Sequence, residues 1–345
     1  MPNNSAEKSH KNSFLALSSD GATLAKVIAT ICVVSLHSYK LFKYVNAQSQ
    51  EIFYLRGIHA FDVCCLPIFF LLAGYYLTFK DDWDYVKNLR KKFRSLVIPY
   101  LGFISIYAVV SCVGSLALPA FFDDFRKFTA NDWLMHLFGI PFLKDPTFYG
   151  PLWFVRELII FNLLSFVLVP VVKRIPGYLL IPAMMAIYFM PINRKTCYAI
   201  TFFVMGLYFG LKKMIPIIKN AILIMVVSVA GFMIPVVFEG DLANEISILL
   251  LSISILSAAE KLIRNDKIKR MAQIAIPFSF PVYLLHEYLM TTITRLLALQ
   301  HVSMPGAIAI FLVLPIPIIF LCICVAVLWK RISPKTYVML IGGRY

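Results

Sequence analysis

About ten apolar runs, most of them long enough to cross a bilayer as a helix, follow one another along this chain. They are residues 22–40, 58–79, 96–120, 151–172, 177–192, 196–211, 215–237, 245–262, 273–294 and 305–329. In hydrocarbon each backbone N–H and C=O must be satisfied within the protein, and a helix does so inside one segment. The expected fold is all-α: a polytopic transmembrane helical bundle of about ten spans. The composition agrees, with 60% hydrophobic residues in a 345-residue chain, where a soluble domain has about 45–50%. Runs 177–192 and 196–211 are short, and Pro176, Pro182 and Pro191 make the first of them irregular.

The formal net charge of +15 would suggest nucleic acid in a soluble protein. Here the Lys and Arg residues fall mostly in short loops between apolar runs, where they encode orientation. With the N-terminus inside, the inner segments carry more than twice as many of them as the outer ones. Both termini are therefore expected in the cytoplasm, and nucleic-acid binding is not expected. The reading gives a disordered tail over 1–20, one transmembrane domain over 21–330 and a C-terminal tail over 331–345. No cleavable leader is read in the first residues. The longest outer loop, 121–150, is expected to lie over the membrane surface. The seven cysteines lie in or beside apolar runs without zinc-ligand spacing, and read as small packing residues. No metal is expected.

Ionisable residues inside the spans carry the functional signal, because their burial in a bilayer is costly. Lys26 and His37 stand eleven residues apart on the first run. That is about three helical turns, one face and roughly 16 Å. His286 and Glu287 lie mid-way along the ninth run, and Arg156 and Glu157 near the outer end of the fourth. Counting residues from the span ends puts His37, His286 and the Arg156–Glu157 pair at a similar depth, in the outer half of the bilayer. Imidazole, guanidinium and carboxylate at one level imply a polar pocket. Arg156 and Glu157 are neighbours in sequence, about 100° apart around a helix, so each is expected to have a separate partner. His59 and Asp62 read as interfacial, His136 and His301 as loop residues, and His10 as part of the tail. The residues alone leave open whether His37 is a structural histidine bonded between helices or a chemical group.

At the inner mouth of the third run, KNLRKKFRSLVIPY places Arg90, Lys91 and Arg94 at helical spacing. Such a cluster is either ordinary positive-inside anchoring or a grip on a phosphate-bearing cofactor. Lys26, at the inner end of the first run, extends it.

Four blocks together resemble the integral-membrane acyltransferase-3 family. LAKVIATICVVSLH (24–37) resembles its first-helix pattern of a basic residue followed by a histidine. LPIFFLLAGYYL (66–77), GPLWFVRELI (150–159) and FPVYLLHEYL (280–289) resemble its Pro-x-Phe-Phe…Ser-Gly-Tyr, Leu-Trp-Phe and Tyr-Leu-Leu-His blocks. They occur in order over nearly the whole chain. The departures are Lys26 where Arg is common, Thr23 where an acidic residue is common, Ala73 in place of the block's Ser, and Lys91 in place of one Arg of an Arg-x-x-Arg pair.

The resemblance implies transfer of an acyl group, acetyl by default, from acetyl-CoA or another acyl-CoA in the cytoplasm. The acceptor is a hydroxyl of an extracytoplasmic glycan or lipid-linked saccharide, across a bacterial cytoplasmic (inner) membrane. His37 is then the general base or the acyl carrier. Lys26, Arg90, Lys91 and Arg94 hold the CoA phosphates, and Tyr75, Trp153, Arg156, Glu157, Tyr283 and His286 form the substrate pocket. Two other readings account for buried charge: a secondary transporter of a glycan precursor or anionic solute, and a non-catalytic assembly or lipid-binding protein. Neither gives a reason for the four blocks. Transporters often carry two related halves, and no internal repeat is read in this chain.

Overall fold

The computed structural model describes residues 14–38, 65–80, 83–117, 129–130, 132, 150–187, 193–237, 241–298 and 303–343. His10, His59, Asp62, His136, His301 and nearly all of the 121–150 loop lie outside them. The described chain is helical, as expected, apart from a two-residue antiparallel ribbon pairing β1 (Phe14–Leu15) with β2 (Ile215–Pro216). The helices are α1 (Ser19–Ser38), α2 (Cys65–Thr78), α3 (Tyr85–Lys92), α4 (Ile98–Ala117), α5 (Leu152–Arg174), α6 (Gly177–Ala186), α7 (Arg194–Leu211), α8 (Ala221–Val237), α9 (Asp241–Leu262), α10 (Asp266–Ala298), α11 (Met304–Val313), α12 (Pro315–Ile332) and α13 (Pro334–Leu340).

Four helical stretches are long and apolar enough to cross a membrane: Ser19–Ser38, Tyr85–Gly114, Leu152–Arg174 and Pro305–Ile332. The pair Asn244–Leu262 and Asp266–Thr294 passes the same test together, bent by 118°. Leu66–Thr78, Lys195–Leu211 and Ala221–Ile234 are apolar but shorter. Among the described residues, four stretches, or five with the bent pair, meet this test of length and composition, beside about ten apolar runs in the sequence. Hydropathy counts apolar residues. It does not see where a helix stops or turns, and α6 runs from Gly177 to Ala186 with Pro182 inside it.

Two central contacts organise the bundle. In the first, α2 crosses α7 at backbone distance. Gly206 and Gly210 form a Gly-x-x-x-Gly step on α7, and Gly74 faces them from α2. A Cβ on Gly74 would collide with the Phe203 carbonyl, and one on Gly206 with the Leu71 carbonyl. Small residues at such a crossing let helices pack where the hydrophobic effect gives no drive. The Thr78 hydroxyl adds a bond across the crossing to the Leu207 carbonyl at 2.9 Å.

In the second, α1 lies along α10. Its start is tied twice. Ser18 caps α1 by accepting from the Gly21 N–H at 2.9 Å, and donates its hydroxyl to Glu260 of α9 at 2.8 Å. Asp20 pairs with Lys269 at 2.7 Å and accepts from Gln273 at 3.2 Å, both on α10. These contacts fall just before residue 21, the boundary read from sequence.

Between α3 and α4 the backbone makes one π-helical turn, Phe93–Val97. Asp84 caps α3 through the Lys87 N–H at 3.0 Å, and Asn88 donates to Asn162 of α5 at 3.2 Å. The C-terminal α13 packs Leu340 against Gly102 of α4, and Gly342, at φ +70°, sits on the Ser95 backbone. Cys32, Cys197 and Cys322 are buried and outside any disulfide, while Cys324, also read as a packing residue, is exposed.

Candidate active site

His37 stands in the last turn of α1, and α10 presents His286 and Glu287 to it. The His37 Nδ1 contacts the Glu287 Oε2 directly. A carboxylate only accepts, so His37 carries its proton at Nδ1, and the neutral ring has its lone pair at Nε2. The His37 and His286 rings meet edge to face, centroids 4.8 Å apart. The Nδ1 of His286 lies 2.7 Å from the Tyr283 carbonyl and 3.1 Å from that of Val282. Carbonyls also only accept, so His286 donates from Nδ1 and its lone pair is at Nε2. That Nε2 is buried and makes no hydrogen bond among the described residues. His286 is fully enclosed, while the His37 side chain keeps 21% of its surface accessible. Of the two imidazoles, His37 is the one a substrate can reach.

The start of α5 closes the site from a third side. Tyr283 donates its hydroxyl to the Pro151 carbonyl, and a Cβ on Gly150 would lie 3.7 Å from the Glu287 carboxylate. Phe280, Tyr283 and Phe154 form an aromatic wall leading up to His286, with centroid separations of 6.2 Å for Phe280–Tyr283, 5.6 Å for Phe154–Tyr283 and 6.1 Å for Tyr283–His286.

A cavity of about 670 Å³ runs along this wall. Its apolar part is lined by Phe69, Leu72, Leu77, Phe154, Leu158 and Phe280, and reaches Tyr283. Its basic part is lined by Lys26, Lys80, Lys87, Lys91 and Lys92, with Trp83 and Asn88 beside them. The Lys26 ammonium sits 5.2 Å over the Tyr76 ring. Ala73, where the resembling block has Ser, also lines the cavity.

The structure brings some sequence candidates together and separates others. His37 and His286 meet edge to face with Tyr283 beside His286, and of these three Tyr283 alone lines the cavity. Lys26 and Lys91 line the cavity; Arg90 and Arg94 are exposed and are not part of its lining. The cap residue Asp84 and, on α3, Lys87, Asn88, Lys91 and Lys92 line the cavity, and Arg94 falls in the π turn that follows. Tyr75 is fully buried against Phe79, and its neighbour Tyr76 faces the cavity instead. Trp153 is outside the lining, with Lys195 5.6 Å over its ring.

Arg156 and Glu157 are each expected to have a separate partner; the two also pair with each other. The two are buried together, Arg156 Nη2 donating to Glu157 Oε1 at 3.1 Å. The backbone angle between neighbours is real, but two long, buried side chains of opposite charge can bend back along the helix to neutralise each other. Thr196 of α7 adds a bond to Glu157 at 3.5 Å. Glu287 is the site residue the sequence reading left out of its pocket. Its signal was present, as an acidic residue inside an apolar run beside His286.

A comparison with protein families matches residues 20–329 to the family described as an acyltransferase domain. No curated protein and no solved structure matches the chain. The match covers nearly the whole sequence, and it contains the histidine pair, Glu287 and every lysine of the cavity. The chain belongs to the acyltransferase-3 family, a family of membrane acyltransferases.

Proposed function

We propose that this protein moves an acyl group, acetyl first among the candidates, from cytoplasmic acyl-CoA to a hydroxyl of an extracytoplasmic glycan or polysaccharide precursor, in a bacterial cytoplasmic membrane with both chain termini on the inner side. The observation that carries the reading is the His37–Glu287 contact beside the aromatic end of a cavity whose other part is lined by lysines.

The lysines suit the phosphates of CoA as point charges at the end of flexible stems. Lys26 and His37, roughly 16 Å apart along α1, are separated by a distance the pantetheine arm covers. The acyl thioester then lies beside Tyr283 and His37. Glu287 fixes the tautomer and orientation of His37 and stabilises the imidazolium that forms, as a carboxylate does behind a catalytic histidine. His37 Nε2 takes the proton of the acceptor hydroxyl as its oxygen attacks the thioester carbonyl. The tetrahedral intermediate collapses to the ester, the C–S bond breaks, and the proton on His37 passes to the departing thiolate. No net proton or electron is consumed. Arg156 and Glu157, paired and buried, act as a brace between α5 and α7, holding the Gly150–Pro151 turn on Tyr283.

The test is acyl-CoA consumption by purified protein in lipid nanodiscs, with an envelope-glycan extract as acceptor, for wild type, His37→Ala and Glu287→Gln. The expected result is full loss in His37→Ala and a drop of about 10²–10⁴-fold in kcat for Glu287→Gln, with KM for acyl-CoA little changed. Undiminished consumption in His37→Ala overturns the assignment.

A further inference from the structure

The same three side chains that form the base also make a set of metal ligands. One ligand atom from each of His37, His286 and Glu287 falls within 4.8 Å of the others. Two nitrogens and a carboxylate oxygen, with a fourth position left open, is a ligand set that zinc accepts. A second, independent observation points the same way. His286 is fully buried and spends its Nδ1–H on the carbonyls of its own helix. Metal-binding histidines are held in this manner, by a hydrogen bond from the ring nitrogen that does not touch the ion. Its Nε2 lone pair is buried and makes no hydrogen bond among the described residues. In the transfer reaction described above, that lone pair has no part. An acceptor nitrogen buried beside a carboxylate and a second imidazole is suited to a cation of borderline softness. Magnesium and calcium favour all-oxygen sites, so the two imidazoles select against them.

We propose that His37, His286 and Glu287 bind one divalent transition-metal ion, zinc by preference, and that the ion competes with the acceptor hydroxyl for His37. The inhibition half of this proposal rests on His37 being the base; the binding half does not. The accessible fraction of His37 gives the ion its way in. The ion takes the place of the proton between His37 Nδ1 and Glu287, that proton moves to Nε2, and the loaded site has no lone pair left for the acceptor's proton. Small movements of the three side chains bring the ligand atoms onto one ion, because zinc–nitrogen and zinc–oxygen bonds are about 2.0–2.2 Å long. The sequence reading expected no metal because its spacing rules look for ligands close together along the chain, and these lie on α1 and α10.

The experiment uses untagged, chelator-stripped protein in nanodiscs, without acyl-CoA or acceptor. Zinc binding is measured by competition with a chromophoric chelator, and cobalt(II) is added separately to read its visible absorption bands. The expected result is one ion per chain in wild type, a four- or five-coordinate cobalt spectrum, and at least a tenfold loss of zinc affinity in both His286→Ala and Glu287→Gln. A thermal unfolding midpoint close to that of wild type shows that each variant is folded. Absence of stoichiometric binding in wild type, or binding unchanged in both variants, overturns the site. In a second arm, initial transfer rates are taken at rising zinc and after chelator is added back. Reversible inhibition that the acceptor relieves supports competition at His37; zinc bound at the site with transfer unaffected overturns it. Zinc binding by a chain without transfer activity would sink the acyltransferase chemistry and leave the site standing. Transfer by a chain that binds no zinc would do the reverse.

Discussion

At the scale of single residues, the site separates what an apolar sequence announces from what it conceals. His37 and His286 are legible because an imidazole in a membrane span has few reasons to be there. That Glu287 belongs to His37 is not legible, since nothing in residues 280–289 says which helix will lie opposite. Tyr75 and Tyr76 show a second limit. Neighbours point about 100° apart, and a helix apolar on every side gives no face from which to choose between them. The structure chooses Tyr76. The lysines make the same point quantitatively testable. Lys91→Ala should raise KM for acyl-CoA several-fold with kcat nearly kept, because a phosphate contact remote from the thioester is made equally in ground and transition states. Arg94→Ala should change neither parameter by more than about twofold, since an exposed charge outside the cavity contributes little. Equal effects of the two substitutions in steady-state kinetics would return Arg94 to the cofactor grip.

At the scale of elements, the α2–α7 crossing and the π turn decide how the cavity is shaped. Helix existence was readable from apolar runs, and helix ends were not. A break such as the one between α9 and α10 depends on where capping and polar residues stop the backbone ladder, and apolarity does not record this. The glycines of α7 carry the crossing. Gly206→Ala should cost about 2 kcal/mol or more, because its methyl group meets the backbone of α2, which no rotamer change can relieve. The measurement is the thermal unfolding midpoint in detergent beside wild type. A midpoint for Gly206→Ala no lower than that of wild type would show that the helices are not held at backbone distance.

At the scale of the whole molecule, the two ends of the described chain both work on the bundle. Ser18 and Asp20 fasten α1 to α9 and α10. At the other end, α13 buries Tyr337 and Leu340 against α4, Trp329 and Phe280. Phe280 lines the cavity, and Leu96, in the π turn beneath Gly342, lines it too. Removal of residues 334–345 should therefore loosen the cavity wall without touching His37. The expected outcome is a raised KM for acyl-CoA, with hydrogen exchange increased in 93–102 and around Phe280. Unchanged exchange in those segments would show that the C-terminal helix is not a support.

One continuous cavity, with lysines along one part and the aromatic wall along another, has a consequence for the order of events. A nucleotide-bearing donor that enters along the lysines fills the whole passage behind its acyl end. Its thiol product must withdraw by the same path, and an acceptor meets His37 only from elsewhere. The two substrates then form a ternary complex, with intersecting double-reciprocal plots instead of parallel ones. Free CoA should compete with acyl-CoA but not with the acceptor, and the dead cofactor should clear the passage before the next turnover begins.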